Sequence, residues 1–310
     1  MIGLEERTWG GIFGVAVGDA LGATLEGMDR DEARRRYGLL REMLGGGWLS
    51  LEPGEVTDDT EMTLAVARGL CSSPDDPVPA VGQEFVRWFQ SGPRDVGNTV
   101  RTAIEAYLEL GDWDRASQYT SFSMHGRVAG NGCLMRALPV TFLHPRDPAA
   151  LKRTSAAIAA MTHRDPLAEA CCSLYNLLAR HLLLGRDAVE ALRRARAELG
   201  PAPPGELDAV LERFKRFREE DLRPTGYVLD TLACALWAFY TTESAEAAVV
   251  RAVNLAGDAD TIGAVCGGLA GLYYGYHALP ARWVEKIRPR DALAEVAEQL
   301  MELWRRGAGA

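Results

Sequence analysis

An all-α fold is what this sequence predicts, and three observations predict it. Long segments repeat apolar residues at helical spacing, most of them open on Asp, Ser or Thr and close at Gly, and alternating apolar and polar runs bounded by turn pairs are nearly absent. With 310 residues, 47% of them hydrophobic, the chain has ample material for a buried core. Breaks rich in Pro, Gly or Asp fall at 72–80 ("SSPDDPVPA"), 143–148 ("LHPRDP"), 200–206 ("GPAPPGE") and 221–226 ("DLRPTG"). None is long enough for a flexible linker, so one compact multi-helix domain over residues 1–310 is expected.

Taken in order, "MIGLEERTWGGIFGVAVGDALG" has acidic Glu5 and Glu6 where an export signal needs positive charge, and Asp19 interrupts its apolar stretch. A cytoplasmic location is therefore expected. Behind Thr57, Asp58 and Asp59, the positions Met62, Leu64, Ala65, Val66, Ala67 and Leu70 read as a helix. "DPLAEACCSLYNLLARHLLLG" has Asp165 as N-cap, Pro166 at the first helical position and Gly185 as the stop. "DAVEALRRARAELG" runs from Asp187 to Gly200, and "SAEAAVVRAVNLAG" is capped by Ser244. The uncharged stretch from Thr261 to Ala281 is long enough to raise a membrane question. Its five glycines at 263, 267, 268, 271 and 275, with His277 and Pro280, make it instead a buried helix whose backbone lies close against its neighbours. "DALAEVAEQLMELWRR" closes the chain with apolar residues at helical spacing.

The formal charge of −9, from 34 basic and 43 acidic residues, argues against nucleic acid as a partner. Six cysteines show neither a CxxC pair nor zinc-like spacing and read as reduced core residues.

Chemistry concentrates in two acidic helix starts. Asp58 and Asp59 lie between Thr57 and Thr60, and Asp258, Asp260 and Thr261 repeat the arrangement ahead of "IGAVCGGLAGLYYG". Either cluster alone reads as an N-cap, where the helix dipole and free N–H groups favour negative charge. If the two starts face each other, four carboxylates and two hydroxyls converge, and a pair of Mg²⁺ or Mn²⁺ ions would relieve their repulsion. No soft ligand is nearby, which disfavours zinc and copper. Two weaker features accompany them. "GDALGATLEG" spaces Asp19 and Glu26 seven apart, and "GRVAGNGCLMRALP" sets Gly130, Asn131 and Gly132 in a tight loop before a helix-like run. Such loops can hold phosphate oxygens, although a GNG turn is usually only a turn.

Together these segments resemble the ADP-ribosylglycohydrolase family, including its dinitrogenase reductase-activating branch. "GVAVGDALGATLEG", "TDDTEMTLAVARGL", "DVGNTV", "GNGCLMRALPV", "THRDP", "GYVLDTLACALWAF" and "AVNLAGDADTIGAVCGGLAGLYYG" occur in family order from about Gly10 to Tyr276. The resemblance implies an all-α fold around a binuclear metal centre. It implies Thr57, Asp58, Asp59, Asp258, Asp260 and Thr261 as ligands of two Mg²⁺ or Mn²⁺ ions, with Asp260 a candidate bridge. Asp59 and Asp260 would thereby be catalytic, joined by Glu26, which would orient water or accept a proton, and by Asp95 as a proton shuttle on the leaving-group side. A structural cap or loop hydrogen bond is an equal reading of Asp95.

By the same resemblance Gly130, Asn131 and Gly132 would bind the diphosphate or the adenosine-side ribose, and His163 would line the substrate pocket. Tyr227 would stack on adenine, against the alternative of a core aromatic, and Arg136 reads as a structural salt-bridge partner. Ala259 and Cys133 depart from the family's usual residues and bear on the leaving group, not on the ligands. The implied reaction releases ADP-ribose from an ADP-ribosylated acceptor, arginine being one, by cleaving the bond at C1 of the distal ribose. Other readings are hydrolysis of a small ADP-ribose derivative or of ADP-ribosylated nucleic acid, and a non-catalytic, crystallin-like role. A monomer acting on a protein or small-molecule conjugate, with no membrane association, is expected.

Overall fold

The computed structural model describes residues 2–200 and 205–309, so the prolines of the 200–206 break lie outside the described residues. Among the described residues the chain forms fifteen α-helices, five short 3-10 turns and no sheet. In order they are α1 (Leu4–Gly22), α2 (Arg30–Tyr37), α3 (Asp58–Ser72), α4 (Pro77–Gln90), α5 (Asn98–Leu110), α6 (Trp113–Ser123), α7 (Pro148–Ala160), α8 (Pro166–Leu183), α9 (Ala188–Leu199), α10 (Glu206–Arg213), α11 (Val228–Tyr240), α12 (Ala245–Val253), α13 (Ala259–Tyr274), α14 (Ala281–Val284) and α15 (Arg290–Gly309).

The expected caps are in place. Asp165 accepts from the amides of Leu167 and Ala168 at the start of α8, Asp187 from Val189 and Glu190 at α9, and Ser244 from Ala247 at α12. Two expectations are corrected. The break at 72–80 is shorter, because α4 already begins at Pro77: prolines suit a first helical turn, whose N–H groups have no intrahelical partner. The GNG segment is the tight turn expected, a 3-10 turn over Asn131–Cys133, whereas the helix-like run after it forms a second 3-10 turn, Leu138–Phe142, and no α-helix.

The centre of the molecule is the antiparallel pair α1 and α13. A Cβ on Gly10, Gly14 or Gly18 would fall 2.2, 2.1 or 1.9 Å from the carbonyl oxygen of Gly271, Gly267 or Gly263, and one on Gly22 would fall 2.3 Å from that of Ala259. Glycine every fourth residue on both helices thus brings the two backbones into contact, as expected for α13. The pairing has a consequence for the site. It lays the C-terminal end of α1, with Asp19, beside the N-terminal end of α13, with Asp260 and Thr261. No helix among the described residues is long and apolar enough to cross a membrane. All six cysteines are free thiols, and all but half-buried Cys71 are buried.

Candidate active site

The two acidic helix starts meet. Thr57 caps α3 by accepting from the Asp59 amide at 3.3 Å, so the sequence pattern is a true cap there. A second cap comes from another helix. The fully buried Asp19 carboxylate accepts from the Thr57 and Thr60 amides, each at 3.1 Å, and from the Thr60 hydroxyl at 2.5 Å. At α13 the corresponding Asp258 makes no capping bond. Its Oδ2 instead accepts from Asn131 Nδ2 at 2.6 Å, and the same amide donates to Thr231 Oγ1 at 2.8 Å. The backbone ahead of Asp258 is held as firmly. Ala256 and Gly257 both take left-handed φ values, of 60° and 64°, and Gly257 exchanges backbone hydrogen bonds with Gly27 and Met28, at 2.8 and 2.9 Å, just beyond Glu26.

Across the junction, Asp59 Oδ2 lies 3.3 Å from Thr57 Oγ1 and 3.4 Å from Thr261 Oγ1. Burial, reinforced by the neighbouring carboxylates, drives Asp59 and Asp260 far above the usual carboxylate range and pushes Asp58 up to about 8. Glu26 is pushed up to about 7, first by burial, despite a 2.7 Å hydrogen bond from the Trp48 indole. Asp95 is half-buried in the loop before α5 and is also raised, burial again being the largest cause. It caps no helix, since Gly97 precedes α5.

The donor chemistry fits hard divalent cations. Asp59 Oδ1 and Asp260 Oδ1 are buried oxygens with no hydrogen-bond partner, an arrangement that is unfavourable unless a cation, a water or a proton satisfies them. Every nearby donor is a carboxylate or a hydroxyl, as Mg²⁺ and Mn²⁺ prefer. Among the described residues no three His, Cys, Asp or Glu side chains stand close enough together to hold a metal ion by themselves. The cluster mixes carboxylates with threonine hydroxyls and faces a cavity of about 410 Å³.

That cavity brings together Glu26, Asp58, Asp59, Asp95, Gly130, Asn131, Gly132, His163, Asp258, Asp260 and Thr261 in its walls. Thr57 is buried beside it. Gly130 and Gly132 lie close against His163, whose Nε2 would be 3.3 and 3.2 Å from Cβ atoms at these positions, so a side chain there would have to push the ring aside by a few tenths of an ångström. His163 is 2% exposed, holds Thr162 Oγ1 through Nδ1 at 2.7 Å, and is pushed down to about 3 by burial and by Arg136. It is therefore neutral, as a wall residue and not a base.

Tyr227 is not a core aromatic. Its backbone bridges to Gly130 and pins the GNG loop, but its ring is 37% exposed, stands outside the cavity walls and meets Glu206 Oε2 at 3.2 Å. Arg136 makes no salt bridge among the described residues. It is buried against the Phe85 ring at 4.3 Å and donates to Thr162 at 2.7 Å. Asp19 is the residue whose role the sequence reading missed. Its signal was an acid inside an apolar, Gly-rich run, a position that demands a buried partner.

The family model described as ADP-ribosylglycohydrolase matches residues 2–309. The "ADP-ribosyl-[dinitrogen reductase] glycohydrolase" of Rhodospirillum rubrum is 37% identical over 284 residues, covering 92% of this chain and 91% of that protein. The "ADP-ribosylarginine hydrolase Tri1" of Serratia proteamaculans is 32% identical over 305 residues, covering 95% of this chain and 79% of that one. A solved structure described as an "ADP-ribosylglycohydrolase-related protein complex" superposes with a TM-score of 0.81 at 35% identity, over 98% of this chain and 99% of that one.

Proposed function

The chain belongs to the ADP-ribosylglycohydrolase family and is a hydrolase of ADP-ribosyl glycosidic bonds, and from that premise we propose that it removes ADP-ribose from arginine side chains of proteins with the help of two Mg²⁺ or Mn²⁺ ions. The observation that carries the metal reading is the pair of orphaned, buried oxygens on Asp59 and Asp260. The arginine reading is supported by the name of the Serratia relative, and a protein as the acceptor by that of the Rhodospirillum relative.

Thr57, Asp58, Asp59, Asp258, Asp260 and Thr261 would hold the ions, with Asp260 a candidate bridge. When bound, the ions supply positive charge that grips ribose hydroxyls and stabilises negative charge developing at the reacting centre. Asn131 fixes the orientation of Asp258, and Asp19 fixes the backbone that carries Asp58 and Asp59. The Gly130–Gly132 backbone, backed by neutral His163, would receive the diphosphate or the adenosine-side ribose.

The reaction adds water across the bond between C1 of the distal ribose and the guanidine nitrogen. Glu26, a carboxylate in the cavity wall that the Trp48 indole holds in place, orients the water and accepts its proton at a carboxylate oxygen as the hydroxyl joins C1. Asp95, in the wall of the same cavity, returns a proton to the departing guanidine nitrogen, so that arginine and ADP-ribose leave.

The test is to incubate the protein with an ADP-ribosylarginine peptide and Mn²⁺ or Mg²⁺, then with chelator, and follow free ADP-ribose. Metal-dependent release is expected. Release that survives thorough chelation would remove the metals from the account, and intact substrate under every condition would remove arginine as the acceptor.

A further inference from the structure

A second cavity, of about 330 Å³, adjoins the catalytic one and shares two of its walls, Asp58 and Asp95. Its other charged walls are Glu55, Glu61, Arg94 and Arg288. The two cations are already spoken for: Arg94 pairs with Glu55 at 3.1 Å, and Arg288 pairs with Glu52. Asp58, Glu61 and Asp95 have no cationic partner within ion-pair distance among the described residues. Asp58 is 7% exposed, and no hydrogen bond supports its carboxylate; only burial and neighbouring carboxylates act on it. Glu61, one helical turn along the same face of α3, receives the Trp88 indole N–H on Oε2 at 2.6 Å, which orients the carboxylate and leaves Oε1 available.

The geometry points to this second cavity as the seat of a guanidinium group, held by Glu61 and Asp95 while the bond to be broken lies at the Asp58 wall. The placement rests on arginine being the acceptor. A guanidinium is planar and permanently charged, with five N–H donors that can serve two carboxylates at once. A hydroxyl acceptor, such as serine, would leave Glu61 and Asp95 without a counter-charge in a half-buried space, Asp58 being turned to the ions, so the same walls that welcome arginine disfavour a neutral acceptor. Glu61 is then a specificity residue. It touches the acceptor and takes no part in proton transfer.

Glu61→Gln separates these roles, because the amide oxygen can still accept from Trp88 while the charge is gone. Two readouts decide. By calorimetry with ADP-ribose present, L-arginine is expected to bind the wild-type protein about tenfold tighter than its neutral isostere L-citrulline, a preference that Glu61→Gln abolishes. In steady-state hydrolysis of ADP-ribosylarginine, the variant's KM is expected to rise about tenfold with kcat within about twofold. Equal binding of arginine and citrulline by the wild type, or a preference that persists in the variant at matched melting temperature, overturns the assignment. Failure of the wild type to cleave ADP-ribosylarginine would instead overturn the arginine reading of the function, and the arginine–citrulline comparison would still decide what the cavity holds.

Discussion

The two acidic helix starts look alike as text and are built in different ways. At α3 the cap is local and doubled: Thr57 closes on its own helix, and Asp19 reaches across from α1 to take two amides and a hydroxyl. At α13 there is no side-chain cap. Asp258 is drawn away by Asn131, and the helix is held by a glycine spine against α1. The comparison teaches that one start is fixed by hydrogen bonds to its own amides and the other by backbone packing over four turns. Both solutions leave one oxygen, on Asp59 and on Asp260, unsatisfied in the same place. Capping explains the first cluster in part and the second not at all. What the two share is the chemistry at their meeting point.

The strongest way to break the comparison is at that point. Asp260→Asn should lower turnover about 10³-fold, equivalent to about 4 kcal/mol of transition-state stabilisation, while leaving the metal-free protein at least as stable as wild type, since the lost group is buried, unpartnered and set among other carboxylates. A steady-state assay with a metal-free thermal melt checks both, and near-normal turnover would detach α13 from the chemistry. Next in size is the spine. Gly18→Ala places a Cβ 1.9 Å from the Gly263 carbonyl oxygen and should destabilise by about 3 kcal/mol in urea unfolding, because both contacting groups are backbone and neither can swing aside. Asn131→Ala frees Asp258 and should weaken Mn²⁺ binding by roughly 10–100-fold with little loss of fold, as expected when the residue orienting a ligand is removed. The ordinary cap at Asp165 supplies the scale for a helix start with no chemistry: Asp165→Ala should cost about 1 kcal/mol and leave the KM for ADP-ribosylarginine unchanged.

The smallest expected effect is none. The His163 ring resonances should not titrate between pH 5 and 8, because burial and Arg136 hold its folded-state value at about 3. The unfolded chain takes up this proton below about pH 6.5, so the residue lowers stability as pH falls from there toward 3 and is without effect above. A titration midpoint near 6.5 by NMR would show that the wall under the GNG loop is wet.

What could be read from the sequence was local. Asp165, Asp187 and Ser244 announce their helices because a cap acts within three residues of itself, and the glycines of α13 announce close packing because nothing else tolerates so many in a helix. Their partner on α1 was harder to see. Gly10, Gly14, Gly18 and Gly22 have meaning only once α13 is laid against them. For the same reason the motifs that contain Asp19 and Asn131 do not reveal the contacts these side chains make, since the amides and the carboxylate they serve lie far along the chain. Pro77 and the turn at 138–142 were misread for the opposite reason. Proline marks both breaks and first turns, and a run of apolar residues does not by itself distinguish an α-helix from a buried 3-10 turn.

The central claim is that both helix starts serve one metal centre, and an Mn²⁺ titration followed by electron paramagnetic resonance tests it most directly. The account predicts two bound ions per chain with a spin-coupled signal, lost both in Asp59→Asn and in Asp260→Asn. Binding that survives either substitution at full stoichiometry, or no binding by the wild-type chain, would contradict it.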